Sequence, residues 1–584
     1  MTGNKSAESA ESTESTESTE NTEHTENLER TDNNAEPSIT GALKHRVSNF
    51  LKDRITPNIR EFFEEKSLFI WVLALIIGVG VAYAAIAFRL MIGAVQLLWL
   101  DTASERVYSA ASELPWIVIL LVPAFGGLIV GLILKTYMSG HRVHGVGDVI
   151  EARALRDCKI DPKTGLWSAL LSAISLGAGA SAGREGPVVH LGATIASILN
   201  DRFNLPYHAR RTLLAAGVGA AVTASFNAPI AGVLFAHEVI LSHFAQRAFI
   251  PIVISSVSAT LVARFHFGNV AAFTLPEYAI TSYWEFPAFA LLGITCAVVA
   301  ICFQFAIILA ERTAWSFELP IWARPAIGGL MIGAIAIFYP QILGVGYDAT
   351  DMALKLQFPI YLMITLIIVK ASATAITLAS RFGGGIFSPS LYLGAMTGAA
   401  YGMIAANQFP EIASSQGLYA LLGMGAVASA MLGAPISTTL IVFELTGGYE
   451  MTIALLLTVS IANGLAFAVN GQSFFHWQLA TRGLFLREGP HKEVMRKLMV
   501  GDFMTRLDPD AEPPDPIDAD DNADWLLKTH TVEVALRVFD RAGTHSIPVV
   551  DAADKTRVIA YAHHVKALDA FNRALIDEHI EGHR

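Results

Sequence analysis

One glutamate is the side chain best placed to do chemistry in this sequence. Glu185 lies in Gly183-Arg-Glu-Gly-Pro187, inside an apolar region, where an ionisable group is costly and marks a functional position. Glycine permits a tight loop and proline suits the first turn of a helix, so the motif predicts a helix that begins here. A helix N-terminus carries partial positive charge and unpaired N–H groups, which suit a carboxylate or a small anion.

Two roles are open for Glu185. In the first, its carboxylate competes with a transported anion and moves aside to let the anion pass. In the second, it is a static cap paired with Arg184. A second loop, Gly385-Ile-Phe-Ser-Pro389, repeats the pattern with Phe387 at the position of Glu185 (387 − 185 = 202). This loop offers only backbone N–H groups, from Ile386 and Phe387, so two donor loops and one mobile carboxylate would make an anion site.

The duplication extends beyond these loops. The stretch Gly217–Ile230 returns as Gly423–Ile436 (423 − 217 = 206), and each copy leads to a glutamate, Glu238 or Glu444, again 206 residues apart (444 − 238). Duplicated apolar halves rich in glycine and proline are typical of transporters and channels, which place an ion site between broken helices. Because both glutamates are duplicated, we predict that they bind backbone N–H groups of neighbouring loops; a proton relay is the alternative.

Composition sets the fold class that must position these groups. The 584 residues are 53% hydrophobic and only 16% charged, with mean hydropathy +0.46, whereas a soluble protein carries about a quarter charged residues. The sequence predicts an all-α polytopic membrane protein with broken, re-entrant helices, because irregular backbone at membrane depth needs protein or a water-filled cavity around it. Its clearest apolar runs are Phe69–Ala87, Trp116–Leu134, Phe286–Ala310, Ala326–Tyr339 and Ile453–Val469.

The predicted domain organisation follows changes in composition. The net charge of −11 owes much to an acidic Ser/Thr/Glu/Asn tract near the N-terminus. This tract resembles neither a signal peptide nor a folded segment. Nothing in the sequence indicates a nucleic-acid partner. Three cysteines without metal-ligand spacing predict no disulfide and no metal site. The parts are a disordered tail (1–40), an amphipathic membrane-surface segment (41–66), a transmembrane domain (67–485) with repeats at about 67–245 and 283–485 joined by 246–282, and a soluble tail (496–584).

The soluble tail has the pattern of a small α/β domain. Residues 531–539 predict a helix, and residues 545–550 and 557–561 predict strands. The segment 507–523, rich in Asp and Pro, predicts a linker.

Two alternative functions belong to classes other than anion transport. Gly179-Ala-Ser-Ala-Gly183 fits the serine-nucleophile pattern around Ser181, so a membrane-embedded hydrolase is a remote alternative. The small residues there also let membrane helices approach closely, which we favour. A transport-dead sensor that acts through the tail is the other alternative.

The four ordered motifs together resemble the CLC family of chloride channels and chloride/proton exchangers. They are Gly183-Arg-Glu-Gly-Pro187, Asn227-Ala-Pro-Ile-Ala-Gly-Val-Leu-Phe235, Gly385-Ile-Phe-Ser-Pro389 and Phe443-Glu-Leu-Thr-Gly447. The resemblance implies two inverted repeats, a homodimer with one anion pathway per subunit, cytoplasmic termini and a multi-pass protein of the plasma (inner) membrane. It also implies chloride or a similar anion as the transported ligand, with protons as a second transported ion in the exchangers, and neither enzymatic activity nor a resident cofactor.

The resemblance assigns the gate to Glu185 and the anion path to a set of flanking residues. The anion-binding residues are His144, Gly145, Val146, Arg184, Gly186, Ile386, Phe387 and Phe475. Backbone N–H groups around His144, Gly145, Ile386 and Phe387 are expected to line the path.

Three departures from the family pattern bear on selectivity and coupling. His144 replaces a serine that often accompanies anion choice, and Phe475 replaces a tyrosine and loses its hydroxyl donor. Val239 occupies the position where exchangers often carry an internal proton glutamate. Valine cannot relay a proton, so a passive glutamate-gated channel is favoured over a chloride/proton antiporter.

The tail resembles a single CBS module, through Val500–Thr505 and Ser546–Val550. Such modules work in pairs, which could form across a dimer. Tyr561 and His564 stand where nucleotide-binding copies usually have Ser/Thr and Asp, so nucleotide binding is not expected.

Overall fold

The computed structural model describes residues 67–104, 106–268, 280–446, 449–486, 494–495, 498–507 and 524–583. The predicted acidic tail (1–40), the amphipathic segment (41–66) and nearly all of the predicted linker (507–523) lie outside these residues.

The first half of the membrane region is helical throughout its described residues. Long apolar runs form its long helices, and glycine-rich or proline-containing turns separate the shorter ones. The helices are α1 (Ser67–Leu100), α2 (Val107–Ala111), α3 (Trp116–Tyr137), α4 (Val146–Leu155), α5 (Pro162–Gly177), α6 (Glu185–Arg202), α7 (Tyr207–Phe226), α8 (Pro229–Phe235), which continues as a π-turn (Ala236–Leu241), and α9 (Gln246–Phe267).

The second half repeats this order of long and short helices. They are α10 (Phe286–Ser316), which follows a 3₁₀ turn (Tyr283–Glu285), α11 (Arg324–Phe338), α12 (Tyr347–Leu354), α13 (Ile360–Ala379), α14 (Phe387–Gln408), α15 (Gln416–Leu432), α16 (Pro435–Thr446), α17 (Tyr449–Asn470) and α18 (Phe474–Ala480). Another 3₁₀ turn, Pro340–Ile342, precedes α12. Within the described residues, six helices are long and apolar enough to cross a membrane.

The helix behind each glycine loop begins two residues before its proline. The sequence predicts starts at Pro187 and Pro389, whereas α6 begins at Glu185 and α14 at Phe387. A proline in the first turn lacks only an N–H that has no intrahelical acceptor, so the helix can start ahead of it.

Equivalent residues end one helix and begin the next in each half. α7 stops at Asn227, with φ +57°, and α15 stops at Gly433, with φ +69°. Both are left-handed caps, which asparagine and glycine adopt more readily than other residues. Pro229 and Pro435 then begin α8 and α16. The predicted repeat is therefore also a repeat of helix breaks.

The two halves are joined at their glycine loops by a reciprocal bridge. Gly183 N–H donates to Gly385 O at 2.7 Å, and Gly385 N–H donates to Gly183 O at 2.7 Å. Beside it, Ser181 N–H donates to Thr377 Oγ1 at 3.2 Å and Gly383 N–H donates to Ser175 Oγ at 3.0 Å. The two donors, residues 181 and 383, are 202 positions apart, and so are the two acceptors, residues 175 and 377. The two hydrogen bonds are therefore equivalent under the internal symmetry.

One prediction of the repeat boundaries needs correction. The segment 246–282 was expected only to join the halves, but α9 has membrane-spanning length and composition. It follows α8 as α17 follows α16, so it belongs to the first repeat, which extends past residue 245. Arg247 and Pro251 interrupt its apolar run and weakened its signal in the sequence.

The tail is a small α/β domain. Its strands are β1 (Thr505–Arg506), β2 (Leu526–Leu527), β3 (Ser546–Val550) and β4 (Val558–His563), in the order β1-β4-β3-β2. Helices α19 (Val500–Phe503), α20 (Val532–Ala542) and α21 (His564–His583) accompany them. The all-α membrane region with a small α/β tail confirms the predicted fold class.

Candidate functional site

Glu185 is held by hydroxyl groups at one of its two oxygens. Its Oε1 accepts a hydrogen bond from the Tyr347 hydroxyl at 2.7 Å and another from Ser388 Oγ at 2.5 Å. The side chain is buried, at 3% exposure, and no described residue hydrogen-bonds Oε2. A buried carboxyl with one satisfied oxygen and one open oxygen can accept a proton or give way to a competing anion.

Tyr347 reaches Glu185 because its preceding loop is fixed. Tyr347 is the first residue of α12, after Gly346 with φ +91°. The loop is anchored by Lys370 on α13, whose fully buried Nζ donates to Ile342 O at 2.9 Å and Gly344 O at 3.0 Å. These two hydrogen bonds tie the loop to α13, so Lys370 restricts where Tyr347 can lie.

Arg184 lies next to the residues that hold Glu185. Its guanidinium lies over the Tyr347 ring, 5.0 Å from the ring centre, and it donates weakly to Ser225 O at 3.4 Å. Arg184 is not among the residues that line the cavity described below. Tyr347 and Ser388 bind one oxygen of the Glu185 carboxylate, and the anion contact of Arg184 and its pairing with Glu185 stay predictions.

A cavity of about 110 Å³ lies between the two halves and contains Glu185 in its wall. The structure brings seven of the eight predicted anion-binding residues to this wall. They are His144, Gly145, Val146, Gly186, Ile386, Phe387 and Phe475.

The loop that contains Ile386 and Phe387 differs from the loop that contains His144 and Gly145 in its available N–H groups. Among the described residues, no backbone acceptor binds the N–H of Ile386 or Phe387, as the anion-site prediction requires. By contrast, His144 N–H donates to Ser168 Oγ at 3.2 Å and Gly145 N–H donates to Asp148 Oδ2 at 2.8 Å. Local hydroxyl and carboxylate acceptors thus satisfy these last two groups, and their contact with an anion stays a prediction.

Arginine side chains also line the cavity. Arg142 and Arg482 both pair with buried Asp148, at 2.5 and 2.9 Å. Two guanidinium groups against one carboxylate leave an excess positive charge, which attracts anions to a desolvated site.

Several of these residues were missed from the sequence. Ser388 belongs to a quoted motif, and a lone lysine such as Lys370 in an apolar helix is a signal that could have been used. Tyr347 gave no such signal, because its role depends on contact with a residue 162 positions away.

The duplicated glutamates have the predicted structural role. Glu444 accepts from the N–H groups of Ile230 and Ala231, at 3.0 and 2.8 Å. Glu238 accepts from Ile436 and Ser437 N–H, also at 3.0 and 2.8 Å. Each repeat thus caps the first turn of the short helix of the other, which confirms the prediction.

Ser181 is placed for packing. Its side chain is fully buried, and its hydroxyl lies 3.5 Å from Thr374 Oγ1. A threonine cannot act as the base that a serine nucleophile requires, so this geometry gives the hydrolase alternative no support.

The chain is similar to known anion-transport proteins over most of its membrane region. Residues 126–466 match the family model described as voltage gated chloride channel. A ClcB-like protein of Ralstonia nicotianae is 32% identical, covering 70% of this chain and 96% of that protein. The voltage-gated ClC-type chloride channel ClcB of Escherichia coli O9:H4 is 29% identical, covering 70% and 98%.

Solved structures share the fold. A slow cyanobacterial Cl⁻/H⁺ antiporter aligns with TM-score 0.64 at 23% identity, covering 72% of this chain and 99% of its own. A eukaryotic CLC transporter aligns with TM-score 0.62 at 17% identity, covering 86% and 98%.

Proposed function

The chain belongs to the voltage-gated chloride channel (CLC) family, and from this premise we propose that it conducts chloride, or a similar small anion, through the cavity between its two repeats under the control of Glu185. It is a multi-pass membrane protein of the CLC fold. The observation that carries the proposal is the position of Glu185: one oxygen is fixed by two hydroxyl groups, the other is open, and the side chain lines the cavity.

The proposed gating follows from charge competition. A deprotonated Glu185 repels an anion in the same cavity, whereas a protonated one does not. The N–H groups of Ile386 and Phe387 then provide donors for the anion without carrying a net charge. Flux should therefore rise as the medium is acidified.

Substitution of the gate tests this mechanism. In liposomes loaded with chloride, Glu185→Gln should raise flux at neutral pH and remove most of its acid dependence, because glutamine keeps the shape but cannot ionise. Glu113→Gln, an exposed position outside the cavity, serves as the matched control and should behave as the unmodified protein. An unchanged pH dependence in Glu185→Gln would refute the gate.

We propose passive conduction rather than proton-coupled exchange. Val239 is an apolar residue in the π-turn after α8, at 6% exposure, and cannot carry a proton. Antiport stays the alternative, since one solved relative of the same fold is a Cl⁻/H⁺ antiporter. Simultaneous recording of chloride and proton movement decides between them: proton transport driven uphill by a chloride gradient would defeat the channel proposal.

The assembly and location of the protein are also proposals. We propose a homodimer in the plasma (inner) membrane with cytoplasmic termini, a disordered tail at 1–40, a surface segment at 41–66 and a CBS-like domain at 496–584. Light scattering in detergent would overturn the dimer if it gave a monomer mass. Labelling of cysteines introduced at either end would overturn the orientation if reagent outside the cell reached them.

The tail is proposed to act without a nucleotide. The His564 ring stacks on Phe539 with 5.0 Å between ring centres, and Tyr561 lies in β4 paired with Thr505. A rise in melting temperature of the full-length protein with added ATP or AMP would contradict this.

A further inference from the structure

The anion cavity contains a second ionisable group that the gate does not use. His144 lines the same cavity as Glu185, and its side chain is 16% exposed. Its Nδ1 lies 3.7 Å from Asp148 Oδ1, beyond hydrogen-bond distance. The ring is therefore open to a proton or an anion from the cavity.

A second histidine lies directly behind it. The rings of His144 and His190 meet edge to face with centres 5.5 Å apart. His190 is 1% exposed, and no described residue hydrogen-bonds its buried Nδ1. His190 is not among the residues that line the cavity, so its part in the pair is the ring contact with His144.

The charges around His144 and His190 explain why protonation of His144 would require a bound anion. Asp148 is shared by Arg142 and Arg482, and Glu151 pairs with Arg156 at 2.6 Å and with Arg482 at 3.9 Å. Three guanidinium groups therefore face two carboxylates, and the excess positive charge near His144 opposes a further cation there. The other ionisable groups that line the cavity are Glu185, Glu311 and Arg381.

We infer that His144, backed by His190, forms a joint proton-and-anion site, in which the imidazole takes a proton from solution as an anion binds. The imidazolium provides an added cationic N–H donor, and the anion offsets the excess positive charge. Because linkage is reciprocal, acid then strengthens anion binding and anions strengthen proton binding. This site rests on the proposed anion conduction but acts independently of Glu185.

The test uses Glu185→Gln, in which the gate no longer titrates. Chloride binding to the purified full-length protein is measured by calorimetry between about pH 7.5 and about pH 5.5, the range in which histidine changes charge. Affinity should rise about fivefold or more on acidification, a typical size for coupled binding. Adding His144→Asn, which cannot become a cation, should abolish this rise, and His144→Ser should do the same if the asparagine variant folds poorly.

A histidine substitution outside the cavity separates the effect of His144 on chloride binding from a general effect of removing a histidine. His545→Gln in the tail, added to Glu185→Gln, should leave the rise intact. If the rise persists with His144 replaced, or is absent in Glu185→Gln itself, the joint site is refuted. If no variant binds or conducts chloride at any pH, the proposed function fails instead.

Discussion

The loops at Gly183 and Gly385 share a backbone and differ in chemistry. Each donates to and accepts from the other at 2.7 Å, and each opens a buried helix. One loop presents Glu185, and the other presents Phe387 and N–H groups that have no backbone acceptor among the described residues. The symmetric atoms build the bridge between the halves, while the asymmetric side chains give one loop an ionisable carboxyl group and the other an apolar ring.

A second pair of positions shows the same division. Ser168 on α5 and Lys370 on α13 are 202 residues apart (370 − 168), and each binds the loop that leads into the preceding short helix, α4 or α12. The Ser168 hydroxyl accepts from His144 N–H, whereas Lys370 donates to two carbonyl groups. One loop consequently carries His144 into the cavity wall, and the other carries Tyr347 to Glu185.

The largest effect is expected where helix backbones are in contact at equivalent glycines of the two repeats. A Cβ at Gly394 would lie 2.2 Å from Gly423 O, and the equivalent Cβ at Gly192 would lie 2.5 Å from Gly217 O. Gly394→Ala and Gly192→Ala should each destabilise the protein by about 3 kcal/mol, because helix backbones in contact must separate. Thermal unfolding in detergent measures the loss.

Gly464→Ala is the control, because nothing lies within 4 Å of its Cβ position. It should match the unmodified protein or exceed it slightly, since alanine favours helix. Equal melting temperatures for all three variants would show that the close packing does not stabilise the repeats.

Removal of a reciprocal glutamate should cost no more than replacement of one of these glycines. Glu444→Ala leaves two first-turn N–H groups without their carboxylate, at about 2 kcal/mol. Glu238→Ala should cost about 1 kcal/mol more, because Glu238 also accepts from Ser437 Oγ at 2.6 Å. If Glu444→Ala proved the more destabilising in the same unfolding measurement, the hydroxyl contact would not explain the difference between the repeats.

The smallest effect is expected from the two hydroxyl groups that hold the gate. Tyr347→Phe and Ser388→Ala each remove one hydrogen bond to Glu185, worth about 1 to 2 kcal/mol. We expect chloride flux at neutral pH to rise several-fold in each variant, since the carboxylate is held less firmly. Tyr108→Phe, in which a tyrosine outside the cavity loses its hydroxyl, is the control and should not alter flux. If neither Tyr347→Phe nor Ser388→Ala raised the flux, the two hydrogen bonds would not restrain Glu185.

The sequence by itself determined the membrane class, the two repeats, the helix breaks and the place of Glu185. These follow from local properties: the length of apolar runs, the backbone freedom of glycine and the missing N–H of proline. For the same reason, local patterns anticipated the helix and the strands of the tail at 531–561.

Only the tertiary structure decided which groups meet. Tyr347 and Ser388 reach Glu185 from 162 and 203 residues away, and Asp148 takes the Gly145 N–H that an anion was expected to use. Hydrogen-bond partners are set by distance and direction in space, and residue type limits them only to a broad set of candidates. The repeat could be read along the chain, but which of its N–H groups stay free for an anion depends on how the two halves are packed.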